Sequence, residues 1–143
     1  HTDSPAPLQV AEARGVYAFG QASDMAAFAP KAQLTAIIDD WSSYYVDRVK
    51  AATDGSWEST DTWDGLAKGM VQMAPYGEEV PADVLAAADK IRDGIIDGSM
   101  HPFAGPIKNQ AGEEVVKAGQ HIADDDLHGM HWYVEGVQGE LQK

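Results

Sequence analysis

Three polar clusters carry the side chains of this chain best suited to gripping a small molecule: Thr2-Asp3, the run Gln21-Ala22-Ser23-Asp24, and Asp39-Asp40-Trp41. Their chemistry is that of recognition. The carboxylates of Asp3, Asp24 and Asp39 accept hydrogen bonds, the Gln21 amide donates and accepts, and the hydroxyls of Thr2 and Ser23 do either. The Trp41 indole adds a flat apolar face. Such a set suits a neutral or cationic polar ligand, with ordinary solvation of loops as the competing explanation.

Catalytic readings find less support. Ser23 lacks the Gly-x-Ser-x-Gly surroundings that strain a nucleophilic serine into reach, and no histidine lies near it in sequence. Asp24 and Asp39 can be cast as the acid and base of a sugar or base hydrolase, and that is the rival reading. His128 and His131 stand three apart behind Asp124-Asp125-Asp126. A divalent metal wants about three converging ligands, and the next candidate, Glu135, lies beyond Trp132-Tyr133-Val134, which reads as a strand. They are therefore read as surface histidines. Neither Asp39-Asp40 nor Asp124 to Asp126 has the alternating oxygen donors of a calcium loop, and no Gly-x-Gly-x-x-Gly or Walker-type lysine loop cradles phosphate. No catalytic residue, metal or cofactor is expected.

The elements that must position these clusters follow from patterning. Asp3 or Ser4 caps a helix with Pro5 in its first turn, running through Leu8 and Ala11 to a stop at Gly15. Val16 to Gly20 and Leu34 to Ile38 read as strands, the second apolar without alternation, as in a strand covered on both faces of a mostly parallel sheet. Trp41, Tyr45, Val49 and Ala52 form one stripe of a helix that Asp40 caps and Asp54-Gly55 ends. One or two strands are expected between Thr60 and Ala74. Pro81 opens a helix through Val84, Ala88, Ile91 and Ile95 that stops at Gly98. Ile107-Lys108 and Val115 to Lys117 flank Asn109-Gln110-Ala111-Gly112 as a β-hairpin, and Asp124 to Met130 make a short acid-started helical turn. Ligands of open α/β sheets sit beyond the carboxyl ends of strands, which is where Gln21 to Asp24 and Asp39 to Trp41 fall.

Composition sets the remaining bounds. A chain of 143 residues, 44% hydrophobic, can bury a core, and no linker or repeat divides it, so one α/β unit is expected. A net charge of −13 repels polyanions and anionic bilayers, which argues against a nucleic-acid partner. Cysteine is absent, so thiolate chemistry is excluded. No apolar run approaches the roughly 20 residues of a membrane-spanning helix. The opening His1-Thr2-Asp3-Ser4-Pro5 reads as the loop after a strand, so the numbering is expected to begin inside a larger protein.

Several segments carry a family resemblance. They are Gly15-Val-Tyr-Ala-Phe-Gly-Gln-Ala-Ser-Asp24, Leu34-Thr-Ala-Ile-Ile-Asp-Asp-Trp41 with Tyr44-Tyr45-Val46 and Arg48-Val49, His101-Pro-Phe-Ala-Gly-Pro-Ile107, and Trp132-Tyr-Val-Glu-Gly-Val137. In that order the set resembles the C-terminal part of the basic membrane protein (BMP/PnrA-like) solute-binding proteins. The resemblance implies the C-terminal portion of a type I periplasmic-binding fold: a mostly parallel sheet flanked by helices, plus a C-terminal hairpin. It implies two lobes closing on a purine nucleoside or related compound, in the periplasm or at the outer face of the cytoplasmic membrane, and delivery to an ABC permease. The other lobe, the export signal and a lipid-anchoring cysteine would lie upstream of His1, so these residues alone are expected to bind poorly. A ligand-sensing receptor lobe of the same fold is a further alternative.

Two departures from the family pattern fall on the sugar side of the implied site. Where family members typically have Gly-Val-Asp-Ser-Asp, with the first aspartate on the ribose hydroxyls, this chain has Ala22 and retains only Asp24. Where they often place a lysine facing the ribose, it has Asp39. A buried hydroxyl without a partner costs about 1 to 3 kcal/mol. A carboxylate at Asp39 can instead accept from a ring or amino N–H, so a free base such as adenine is favoured.

Overall fold

A computed structural model of the protein describes residues 4–141. The first helix, α1 (Ala6–Ala13), forms where expected: the Ser4 hydroxyl accepts from the Ala6 amide at 3.2 Å, Pro5 precedes the first turn, and Gly15 takes a left-handed conformation just past the end. Its inner face, Leu8 and Ala11, packs with Met25, Ala29 and Ala32 into a core of small and flexible side chains against β1 (Ala18–Gly20). β1 is shorter than the apolar run Val16 to Gly20 because Val16 and Tyr17 are still held at the end of α1, where the Val16 amide donates to the Ala11 carbonyl at 3.0 Å.

The central strand is β2 (Gln33–Asp39). On one side it pairs in parallel with β1, Ala18 opposite Gln33 and Gly20 opposite Ala36; on the other it pairs antiparallel with β3 (Val71–Met73), Ile37 opposite Met73 and Asp39 opposite Val71. The sheet is thus mixed, which corrects the expectation of a mostly parallel one. Hydrophobic periodicity fixes which residues face a core and says nothing about strand direction. Coverage on both faces likewise holds only for the first part of β2, since Gln33, Thr35 and Ala36 are buried while Ile37 is exposed.

Two contacts fix the register. Gly20 lies so close to β2 that a Cβ there would sit 2.6 Å from the Ala36 Cβ and 2.8 Å from Gln33 Oε1, so only glycine lets the strands approach. On the other edge, the buried Thr35 hydroxyl donates to the Ala74 carbonyl at 2.8 Å. Thr35→Val keeps the shape and removes this donor, and is expected to lower stability by about 1 to 2 kcal/mol, read as a lower urea midpoint at unchanged slope.

Helix α2 (Ser42–Asp54) follows β2 and ends at Gly55, whose φ of 79° lets the chain turn away. Its expected apolar stripe finds no cover among the described residues: Trp41, Tyr45 and Val49 are 45%, 62% and 66% exposed. A single 3₁₀ turn, Leu66–Lys68, leads into β3, so the mixed pattern after Thr60 yields one strand.

Helix α3 (Ala82–Asp97) has the boundaries set by Pro81 and Gly98. The chain nevertheless divides into two compact units between Arg92 and Asp93, inside this helix, where the sequence suggested one. A boundary within a continuous helix leaves no Pro, Gly or Ser-rich signal.

The second unit holds the hairpin of β4 (Ile107–Lys108) and β5 (Glu114–Val116), antiparallel as expected. Asn109 builds its turn: its side-chain oxygen accepts from the amides of Ala111 and Glu113, both at 3.0 Å. Helix α4 (Asp124–His128) is shorter than expected, and Trp132 to Val134 contribute one isolated bridge, Asn109 to Val134, in place of a strand.

Candidate functional site

The carboxyl ends of β1 and β2 meet through one backbone hydrogen bond. Ala22, the one non-glycine residue with positive φ (64°) among the described residues, turns the chain so that its carbonyl accepts from the Asp39 amide at 3.1 Å. This joins the loop Gln21 to Asp24 to the tip of β2, and so brings together two of the three clusters singled out from sequence. Thr2 and Asp3 lie outside the described residues.

Within the joined clusters the roles separate. Asp39 and Trp41 line a cleft of about 470 Å³ whose other walls include Trp63, Asp64, Met70 and Val71. Gln21 is exposed at the strand tip and Ser23 is exposed beside it; neither belongs to this lining, nor does Asp24. Asp24 serves its own turn: Oδ1 accepts from the Ala26 amide at 3.0 Å and from Gln33 Nε2 at 2.7 Å. These bonds, the Ala26 amide first, hold its carboxyl below the usual carboxylate range.

Asp40 is structural as well. Its amide donates to the Met70 carbonyl at 2.8 Å, tying the start of α2 to the residue before β3, and its carboxylate accepts from the Ser42 amide at 3.0 Å and from Gln72 Nε2 at 3.0 Å. The Ser42 hydroxyl and amide pull its pKa down, with a smaller contribution from Gln72. Asp40 thereby fixes the backbone between the two cleft residues beside it.

The cleft thus combines indole faces and aliphatic side chains with two carboxylates, Asp39 and Asp64. It can hold a flat, partly apolar molecule that donates hydrogen bonds, and it disfavours anions. Trp63 and Asp64 fall in the stretch Thr60 to Ala74, where one or two strands are expected from sequence and no site residue is. The structure has neither helix nor strand over 56–65, so the strand pattern that gives Trp63 a packing role does not apply there.

The second unit carries a concavity of about 500 Å³ lined by His121, Asp125, Asp126 and Trp132, among others. His121 stacks on His101 with centroids 4.2 Å apart. His128 ends α4 and His131 lines a different, shallow depression beside Asn109. Among the described residues no three His, Asp or Glu side chains group closely enough to hold a metal ion.

A mixed α/β sheet with an aromatic, carboxylate-bearing cleft at its strand ends has the layout in which open-sheet proteins hold small molecules. More narrowly, the chain belongs to the PnrA-like ABC transporter substrate-binding proteins, whose family model matches residues 1–100. It is 50% identical over 141 residues to a purine-binding protein of Brucella abortus (strain 2308), covering 99% of this chain and 40% of that one. It is 26% identical over 139 residues to a Haloferax volcanii protein named as an ABC transporter glucose-binding protein, covering 97% of this chain and 33% of the relative. The chain therefore spans two fifths or less of these relatives. The solved structure of a transcriptional activator of the comK gene from Bacillus halodurans superposes with a TM-score of 0.58 at 21% identity, over 66% of this chain and 34% of that one, and shares the fold. The family is one of binding proteins, not of enzymes, which sets aside the hydrolase built on Asp24 and Asp39.

Proposed function

We propose that the chain is the C-terminal portion of an extracytoplasmic solute-binding protein with a two-lobed type I periplasmic-binding fold, and that it serves an ABC importer by taking a purine at the cleft beyond β2. The observation that carries this reading is the junction at the strand ends, where the Asp39 amide bonds to Ala22 while Asp39 and Trp41 line the cleft. Trp41 supplies a stacking face, and the Asp39 carboxylate accepts from a ring N–H or amino group. The name of the Brucella relative supports a purine over a sugar. The uncovered stripe of Trp41, Tyr45 and Val49 supports further polypeptide packing on this portion. Ligand binding holds the lobes closed, and the closed form docks on the permease at the outer face of the membrane, where a lipid anchor upstream would keep it.

Among purines the free base is favoured. The Ala22 side chain cannot accept from a ribose diol, and Asp39 stands where the family resemblance often implies a lysine. A buried hydroxyl left unpaired loses about 1 to 3 kcal/mol, or roughly five- to 150-fold in affinity. Calorimetry of the full-length protein with adenine, adenosine and glucose tests this. Adenine is expected to bind at least fivefold more tightly than adenosine and glucose not at all; adenosine binding more tightly than adenine would refute base selectivity, and glucose alone binding would refute the purine reading.

A further inference from the structure

Segment 56–65 has no helix or strand, yet it brings Trp63 and Asp64 to the cleft. A side chain from α2 holds it there. Arg48 donates through one guanidinium nitrogen to the Glu58 carbonyl at 3.2 Å and to the Thr60 hydroxyl at 3.4 Å, and through the other to the hydroxyls of Thr60 and Thr62, both at 3.4 Å. The same guanidinium lies 5.1 Å over the Tyr44 ring, which fixes its plane. A planar fork of several donors, braced on an aromatic face, defines the path of an unpatterned loop in a way that a lysine cannot. The last residue it grips, Thr62, immediately precedes Trp63.

We infer that Trp63 is a ligand-stacking residue of this protein, that Asp64 beside it accepts from the ligand's N–H groups, and that Arg48 is the residue positioning both. The inference rests on the purine reading above and extends it to a part of the chain that neither the strand-end pattern nor the family motifs identify. The cleft's content sets the ligand class. Trp41, Trp63, Met70 and Val71 supply apolar and aromatic walls, while Asp39 and Asp64 supply acceptors and repel anions. A flat, uncharged heteroaromatic with several N–H donors fits this set, and a nucleotide does not. Stacking of a base on an aromatic side chain changes affinity by roughly five- to a hundredfold on truncation to alanine.

The test is calorimetry with adenine on the full-length protein and its variants, together with fluorine NMR of protein labelled with 5-fluorotryptophan. Trp63→Ala is expected to weaken adenine at least tenfold, Trp63→Phe to recover most of the loss because a flat face remains, and Arg48→Lys to give an intermediate loss. Trp57→Phe, on the same loop but outside the cleft lining, is expected to stay within twofold. The fluorine resonance missing from Trp63→Phe assigns Trp63 in the wild type, and saturating adenine is expected to shift it; Arg48→Lys is expected to broaden or move it before ligand is added. Trp63→Ala binding within twofold of a wild type that does bind adenine overturns the inference and leaves the purine reading standing. Should Trp63→Ala fail to fold, a Trp63 resonance unmoved by adenine that the wild type binds overturns it equally. A wild type that binds no purine overturns both.

Discussion

Gln33→Leu is expected to destabilise the protein by about 2 kcal/mol and to loosen the loop that meets Asp39. Gln33 is only 4% exposed, and both ends of its amide are engaged: Oε1 accepts from the buried Met25 amide at 3.0 Å, and Nε2 donates to Asp24 Oδ1 at 2.7 Å. Leucine fills similar space but leaves the Met25 amide without that acceptor, and stranding a buried donor costs more than a made bond contributes. It also removes one of the two donors that lower the Asp24 pKa. The sign of that second effect can be checked with acid. A carboxylate with a depressed folded pKa stabilises above its unfolded pKa, and the benefit disappears as pH falls through the folded value. The deficit of Gln33→Leu should therefore shrink in the acid range, leaving the part that belongs to the Met25 amide. Gln33→Glu behaves oppositely. Its carboxylate can still accept from Met25 but faces Asp24, so its folded pKa rises, it is strongly destabilising at neutral pH, and it recovers as pH falls and the new group protonates. Urea midpoints at pH 7 and through the acid range decide this; a Gln33→Leu variant as stable as wild type would show that the amide holds nothing together.

Gln33 also shows where sequence reading reached its limit. Helices α2 and α3 could be bounded in advance because their ends are local chemistry: Asp40 and Pro81 at the starts, Gly55 and Gly98 after the ends. The hairpin was legible for the same reason, since Asn109 and Gly112 encode a turn within a few residues. Features that depend on distant neighbours were not. Gln33 reads as a polar residue before an apolar run, and only the fold shows it inside, bonded to residues eight and nine positions back. β3 runs antiparallel to β2 because 3₁₀ turn and loop return the chain beside it, and Val71-Gln72-Met73 carries no mark of direction. Strand-end logic points to Asp39, Trp41 and Asp24 alike; the fold sets the first two in the cleft lining and engages the third in its own turn. Trp63 arrives through Arg48, from another element, and no local pattern records that.

Ala22→Asp is expected to raise affinity for a purine nucleoside roughly five- to 150-fold while leaving stability unchanged or improved, on the reading of the cleft as a purine site. Two separate physical effects point the same way. Ala22 has φ of 64°, a left-handed conformation that costs an ordinary L-residue about 1 to 2 kcal/mol and that aspartate and asparagine tolerate better because their short polar side chains bond locally. The substitution therefore does not strain the turn whose carbonyl accepts from the Asp39 amide at 3.1 Å. The new carboxylate supplies the acceptor that the ribose hydroxyls lack, at the position where the family resemblance implies an aspartate. Ala22→Asn separates the two effects: it relieves the backbone equally and accepts through a neutral oxygen, so it should match the stability of Ala22→Asp with a smaller gain for the nucleoside. Free adenine, which has no diol, should bind all three proteins within a fewfold range, with any loss in Ala22→Asp traceable to the like charge placed near Asp39. Calorimetry with adenosine and adenine side by side reads the outcome as a ratio, which cancels errors in active fraction. A ratio that does not move toward the nucleoside would mean that position 22 does not face the sugar, and base selectivity would then have to come from Asp39 alone.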